Sequence, residues 1–148
     1  MPNDEHIILS LQQFIGLWTK IYDKDGRSDW SHILPYYHEQ IYFKDSIQEI
    51  RGINNFAAMT ERLTKRSKEI RFLMHNSSMS DHIIFIEWEM IISYKKYPRS
   101  SLYGASRLTL KDGKIIEQRD YYDLWGDIFD NIPFIKKGYR KFMKRKFG

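Results

Sequence analysis

Asp112-Gly113 falls between two β-rich runs, and this dipeptide constrains the fold more than any other feature of the chain. Asp-Gly suits the two-residue turn of a hairpin, where both central residues take positive φ. The run that follows, Lys114 to Asp123, reads as the returning strand. Its content is unusual, because it alternates charges and tyrosines rather than leucines and valines. Asp120, Tyr121, Tyr122 and Asp123 crowd its end. That pattern predicts a sheet with one face on a polar-lined pocket, and so a protein that binds or transforms something small.

The rest of the chain supplies helices and further strands. Ile7, Leu11, Phe14, Trp18 and Tyr22 recur at spacings of three and four, which predicts an amphipathic helix over 6–22. Ser28 or Asp29 can cap a second short helix carrying Trp30, Ile33 and Leu34, with Pro35 near its end. Ile41 to Asp45 reads as a short strand. After Gly52, Asn54 or Asn55 can cap a third helix with Phe56, Met59 and Leu63 on one face. Strands are expected near 69–79, 82–95, 102–111 and 114–123, with turns at Ser77-Ser78, Ser80-Asp81, Pro98 and Asp112-Gly113. Segregated helices and antiparallel strands define an α+β domain with helices on one sheet face.

With 148 residues, 42% of them hydrophobic and 16% aromatic, one folded domain with a real core is expected. The absence of cysteine excludes a disulfide framework, thiol catalysis and cysteine metal sites. Met1 to Glu5 is polar and acidic, unlike a signal peptide, and no apolar run approaches the roughly 18–20 residues of a membrane span. A cytoplasmic protein is the expectation. The net charge of +5 is unevenly placed. Lys136, Lys137, Arg140, Lys141, Lys144, Arg145 and Lys146 follow Asp130 with no further acid, so the preceding chain is net negative. A division follows: a domain over 1–130 and a basic amphipathic helix over 131–148.

Three stretches in this order resemble the nuclear transport factor 2-like superfamily, above all its bacterial SnoaL-like and ketosteroid-isomerase-like members. They are Tyr42-Phe43-Lys44-Asp45 followed by Gly52, Glu87-Trp88-Glu89-Met90, and Asp112-Gly113-Lys114 running to Arg119-Asp120-Tyr121-Tyr122-Asp123. The resemblance covers about residues 8 to 130. It implies a cone: a curved antiparallel sheet wrapped by three N-terminal helices around a deep pocket. It also implies that Asp45 stands where ketosteroid isomerases keep the carboxylate that shuttles a proton. Their oxyanion-hole tyrosine and aspartic acid would fall near Trp18 and near Ala105 or Ser106, so that hole is absent in its known form. Aligned on SnoaL-like cyclases, the catalytic aspartate falls nearest Asp123 or Asp120. A homodimer through the outer sheet face, where Glu87 and Glu89 point, is the expected state by resemblance. Fold does not settle function in this superfamily, which holds isomerases, cyclases, hydrolases, transport adaptors and pure binders.

Side chains alternate along strands, and the resemblance turns Gln118, Asp120 and Tyr122 inward along with Ile86, Trp88 and Met90. A two-residue Asp112-Gly113 turn then sets Arg107 opposite Gln118, Ala105 opposite Asp120 and Tyr103 opposite Tyr122, while a Ser80-Asp81 turn sets His75 opposite Ile86. The expected pocket holds Asp45, His75, Arg107, Asp120 and Tyr122 amid Trp18, Phe56, Met59, Leu63 and Trp88. Apolar walls with a few convergent polar groups fit a small-molecule site. Each polar residue has two readings. Asp45 is a general base or a loop cap. Asp120 is an acid or base held near Arg107, or half of a structural ion pair. His75 relays protons or fills the core, where a lone strand histidine more often sits. No histidine pair has metal-ligand spacing, so no metal is expected.

Two functions remain open. One is a SnoaL- or isomerase-type enzyme acting on a hydrophobic carbonyl-bearing or polycyclic molecule without a cofactor, with Asp45 moving the proton and Asp120 and Tyr122 assisting. The other is a non-catalytic binder of a hydrophobic or lipid-like molecule, membrane-peripheral through residues 134–147. Ile135, Tyr139, Phe142 and Met143 share one face of that tail among basic residues. It either packs on the domain or lies on an anionic membrane surface. Nucleic acid is disfavoured, because no reading motif accompanies the charge.

Overall fold

The computed structural model describes residues 6–22, 25–94, 99–132 and 134–148. The acidic stretch Met1 to Glu5, the end of the third expected strand at Lys95, the turn at Pro98, and Pro133 lie outside these.

Helix α1 (Leu11–Lys20) begins where the Ser10 side chain accepts a hydrogen bond from the Gln13 backbone N–H, which satisfies one of the open amides of a first turn. Phe14 and Trp18, four residues apart, are its buried face. The helix is shorter than the apolar spacing predicts, because the residues before it pair elsewhere: Ile8 N–H donates to the Gly113 carbonyl in the hairpin turn, at 2.7 Å. The helix expected around Trp30 is a series of turns closed by a 3₁₀ turn over Leu34–Tyr36. Asp29 Oδ1 does cap it, accepting from Ser31 N–H at 3.0 Å. Pro35 has no N–H to extend it, and the chain becomes extended at Tyr37. Helix α2 (Ile53–Arg66) starts from Gly52 at φ 86°, ahead of the Asn54 or Asn55 cap that the sequence suggests, and buries Phe56 and Thr60.

Among the described residues, six strands form one sheet: β1 (Tyr37–Lys44), β2 (Glu49–Arg51), β3 (Ser67–Ser80), β4 (Ile83–Tyr94), β5 (Ser100–Lys111) and β6 (Lys114–Tyr122). Their order is β2-β1-β6-β5-β4-β3. Every pair is antiparallel except β1–β6, which is parallel. Helices α1 and α2 cover the inner face, where Ile84, Ile86, Trp88, Ile92, Leu108 and Ile115 join Phe14, Trp18 and Phe56 in one core. Leu73, Phe85, Tyr103 and Tyr121 lie exposed on the other face. After β6, a wide helical turn over Leu124–Ile128 and a 3₁₀ turn over Phe129–Asn131 lead to α3 (Ile135–Phe147).

Two bulges decide which side chains point inward. The Asp112-Gly113 turn forms as its sequence predicts, with φ of 52° and 77°. Beyond it, however, Leu110 pairs with Ile115 and Thr109 with Glu117, leaving Ile116 as an extra residue on β6. The register then runs one residue from expectation: Ser106 faces Asp120, Leu108 faces Gln118 and Gly104 faces Tyr122. Arg107 and Tyr103 are thereby turned to the outer face. In β3–β4 the turn is Asp81-His82, with Asp81 at φ 54°, not Ser80-Asp81. There His75 is the extra residue, between Met74 opposite Trp88 and Asn76 opposite Glu87.

Gly104 carries a packing constraint that links the sheet to the site. It lies between Trp88 on β4 and Tyr122 on β6. A Cβ there would come within 2.6 Å of the Trp88 ring and of the Tyr121 carbonyl oxygen. Its bare backbone lets the indole lie across β5. Gly104→Ala is therefore expected to destabilise the fold by about 1–3 kcal/mol, seen as a fall in Tm of roughly 3–10 °C. An unchanged melting curve would mean that the indole is not held there.

Candidate active site

The inner face of the sheet and the two helices enclose a cavity of about 280 Å³. Its walls are mostly aromatic and aliphatic. Trp18 and Tyr22 come from α1 and its end, Phe56, Met59 and Leu63 from α2, and Phe72, Trp88 and Met90 from β3 and β4. Tyr22 stacks on Phe72, with ring centroids 4.7 Å apart and planes 8° apart. Phe72 leads to Trp88 at 5.9 Å, and Trp88 to Tyr122 at 6.5 Å. Trp30 stands edge-on to both Trp18 and Phe56. Ile47, Gln48, Arg62 and Arg66 also line the cavity, and Ile47 and both arginines are exposed.

A connected set of polar groups crosses the inner face of β4, β5 and β6. Trp88 Nε1 donates to Ser106 Oγ at 2.9 Å, and Ser106 Oγ donates to Asp120 Oδ1 at 2.6 Å. From the other side, Tyr37 O–H donates to Gln118 Oε1 at 2.7 Å, and Gln118 Nε2 donates to Asp120 Oδ1 at 3.1 Å. Ser106, Gln118 and Tyr37 are all buried. Both bonds to Asp120 fall on Oδ1, and Oδ2 receives none among the described residues. This carboxyl lines the cavity. Its pKa is pushed up to about 6, chiefly by burial, with a further push from the negative charge of Asp45. The bonds from Ser106 and Gln118 act the other way, because they favour the charged form, and they do not outweigh the burial.

Asp45 follows β1 and does two things at once. Its Oδ1 accepts the backbone N–H groups of Ile47 at 2.8 Å and Gln48 at 2.9 Å, which is the loop cap of the plainer reading. Its Oδ2 accepts Tyr122 O–H at 3.2 Å, and the side chain also lines the cavity. Tyr22 is a second phenol in the lining. Its ionisation is pushed up by burial and by the nearby charge of Asp120, and its O–H makes no hydrogen bond among the described residues. It is therefore a neutral donor facing a carboxylate neighbourhood. The indole Nε1 atoms of Trp18 and Trp30 are buried without an acceptor among the described residues.

Of the residues expected in the pocket, Asp45, Asp120, Tyr122, Trp18, Phe56, Met59, Leu63 and Trp88 line this one cavity. His75 and Arg107 do not. The bulge at His75 turns its ring outward, where Nε2 lies 3.4 Å from Glu89 Oε2 on the open face. The bulge at Ile116 moves Arg107 to the same face, where its guanidinium pairs with Glu117 rather than Asp120. Ser106, Gln118, Tyr22, Tyr37 and Trp30 are site residues that the expected pocket omits. Tyr22 shares the spacing of Phe14 and Trp18, and Gln118 shares the inward parity of Asp120. The resemblance leaves Ala105 and Ser106 as alternatives on β5, and the bulge decides for Ser106. Among the described residues, no three His, Asp or Glu side chains gather in a way that could hold a metal ion.

A family model for the SnoaL-like domain matches residues 18–118, which is more than half of the chain, and the chain belongs to that family. Solved structures agree on the fold. A candidate SnoaL-like polyketide cyclase from Jannaschia sp. CCS1 is 17% identical with a TM-score of 0.66, over 84% of this chain and 92% of that one. A protein with a ketosteroid isomerase-like fold from Catenulispora acidiphila, crystallised with trimethylamine, is 12% identical with a TM-score of 0.69, over 82% and 94%. An epoxide hydrolase of the LEH-like type from M. tuberculosis is 15% identical with a TM-score of 0.65, over 90% and 94%. No protein of curated function matches the sequence.

The raised Asp120 pKa has a consequence for stability. A folded carboxyl that titrates near 6, against about 4 in the unfolded chain, holds its proton more tightly when folded. Its stabilising contribution is complete below pH of about 4 and is lost as pH rises through about 6. Asp120→Asn keeps the shape and removes the titration. The variant is expected to gain in Tm over the native chain as pH rises from 4 to 7, by the equivalent of about 1–3 kcal/mol. A Tm difference that stays flat across this range would contradict the assignment.

Proposed function

We propose that this protein moves a proton on a hydrophobic, carbonyl-bearing small molecule, as an isomerase or cyclase does, with Asp120 as the carrier. One observation carries the reading: a carboxyl on an apolar cavity, gripped at one oxygen, open at the other, and titrating near neutral pH. A general base works best when its pKa lies near the working pH. Asp120 takes the role that the sequence suggests for Asp45, because both Asp45 oxygens already accept bonds from the loop and from Tyr122.

In this scheme Asp120 Oδ2 removes a proton from the carbon next to the carbonyl. The electron pair of that C–H bond forms the enolate, and the charge moves to oxygen. The Tyr22 O–H, which lines the same cavity and is kept neutral by burial and by the charge of Asp120, is the donor assigned to that oxygen. Return of the proton to a different carbon completes an isomerisation. Attack of the enolate carbon on a second carbonyl completes a cyclisation, with the proton delivered to the new alkoxide. Ser106 and Gln118 fix the orientation of the carboxyl, and the Trp88 N–H fixes Ser106 in turn. The polyketide cyclase resemblance supports this class of reaction without naming a substrate.

A second reading is a binder that performs no chemistry. The two buried indole N–H groups without acceptors favour it, because a guest that brought oxygen to them would relieve an unsatisfied buried donor.

The test is hydrogen exchange on a panel of enolisable cyclic ketones and diketones in D₂O, followed by NMR. The expected catalysed rate rises with pH through about 6 and then levels. Asp120→Asn is expected to lower it by at least about 100-fold, whereas His75→Ala leaves it unchanged. Binding of these ketones with no exchange at any pH would replace the enzyme reading by the binder. A rate lost equally in His75→Ala would move the chemistry off this cavity.

A further inference from the structure

We propose that α3 is a docking element that lays the protein on an anionic lipid surface. Three observations on the described chain converge on it. The first is charge. Seven cations lie between Lys136 and Lys146 with no acid among them, and among the described residues only Arg140 is in an ion pair, with Asp130. The second is apolar exposure on the same element. Phe134 is 99% exposed and Phe147 76%, and Ile135, Phe142 and Met143 are exposed between them. Ile135, Phe142 and Met143 are spaced seven and eight apart, so they share one side of the helix. The third is the way the helix is held. Tyr139 O–H donates to Asp130 Oδ1 at 2.7 Å, and the Tyr139 ring packs on Trp125 at 4.9 Å. With the Arg140–Asp130 pair these contacts fix one point of the helix to the domain and leave both ends of its apolar stripe open. Phe134, moreover, holds its fully exposed ring from a backbone at φ 77°, a conformation that a bulky residue seldom adopts.

The chemistry of the occupant follows from the mixture. Phosphates alone would satisfy the lysines and leave the phenylalanines in water. A neutral apolar partner would bury the phenylalanines and leave the cations unanswered. An anionic lipid interface takes both at once: headgroups receive the lysines and arginines, and the boundary with the acyl chains receives the apolar side chains. No helix of the described chain is long and apolar enough to cross a membrane, so α3 would lie on the surface. The docking does not depend on the reaction assigned to the cavity.

The experiment is co-sedimentation of the full chain with vesicles of phosphatidylcholine alone or mixed with phosphatidylserine. The expected result is binding to the mixed vesicles only, weakening as salt is raised. Two double variants separate the contributions. Lys137→Glu with Lys144→Glu, and Phe142→Ser with Phe147→Ser, are each expected to weaken binding at least about tenfold. Both are expected to keep the Tm of the native chain, since these side chains are exposed. No binding to the mixed vesicles overturns the proposal. So does equal binding by the phenylalanine variant, accompanied by salt-sensitive binding of duplex DNA, which would make α3 a polyanion site. Concentration-dependent dimerisation lost in that variant, without vesicle binding, would assign the stripe to a second copy of the chain.

Discussion

The site depends on one extra residue in a strand. Without the bulge at Ile116, Ala105 would stand opposite Asp120, and the carboxyl would have a methyl group beside it. With the bulge, Ser106 stands there and donates to Oδ1. The same shift places Gly104 beside Tyr122, while the unbroken β4–β5 pairing sets Gly104 beside Trp88, so that the indole crosses β5 and holds the serine. It also removes Arg107 from the inner face, and Asp120 has no ion-pair partner among the described residues. A guanidinium on that face beside Asp120 would have favoured the charged carboxylate. Its absence from that face lets burial dominate, and a carboxyl that titrates near neutral pH is the outcome.

That arrangement opposes stability and chemistry to each other. A charged group on an apolar cavity is destabilising unless it is paired, and Asp120 has hydrogen bonds but no ion pair among the described residues. Two neutral donors, Ser106 and Gln118, limit the penalty without abolishing the titration. Each is fixed from behind by a buried aromatic group, Trp88 or Tyr37. The polar groups therefore form one network in which only the cavity-facing oxygen is left open. The surrounding rings bury the carboxyl in a mostly apolar setting, which is the condition under which such a network shifts a pKa.

Much of this was legible in the residues. Asp112-Gly113 specified its turn, because only a few residue types accept positive φ at both positions. The apolar spacing of Phe14 and Trp18 specified the buried face of α1, parity put Gln118, Asp120 and Tyr122 on one face of β6, and the resemblance turned that face inward. The SnoaL-like resemblance carried the order of helices and strands. The bulges were not legible. Both cross-strand pairings counted outward from a turn, and one extra residue reverses every partner beyond it. The bulge at Ile116 displaces Arg107 from its expected face and selects Ser106 over Ala105, while the pairing expected for His75 fails through both its bulge and the turn at Asp81-His82. The short helix at Trp30 had a valid cap in Asp29, but Pro35 and the start of β1 left it no room.

The central claim is that Asp120 titrates near neutral pH because it is buried without a counter-charge. Carbon-detected NMR of the aspartate side-chain carboxyls, followed from pH 3 to 8, tests it directly. The account predicts one aspartate carboxyl titrating near 6, lost in Asp120→Asn, moved down in Asp45→Asn and moved up in Ser106→Ala. Titration of every aspartate carboxyl below about 4.5 would contradict it, and the cavity would then hold an ordinary charged acid.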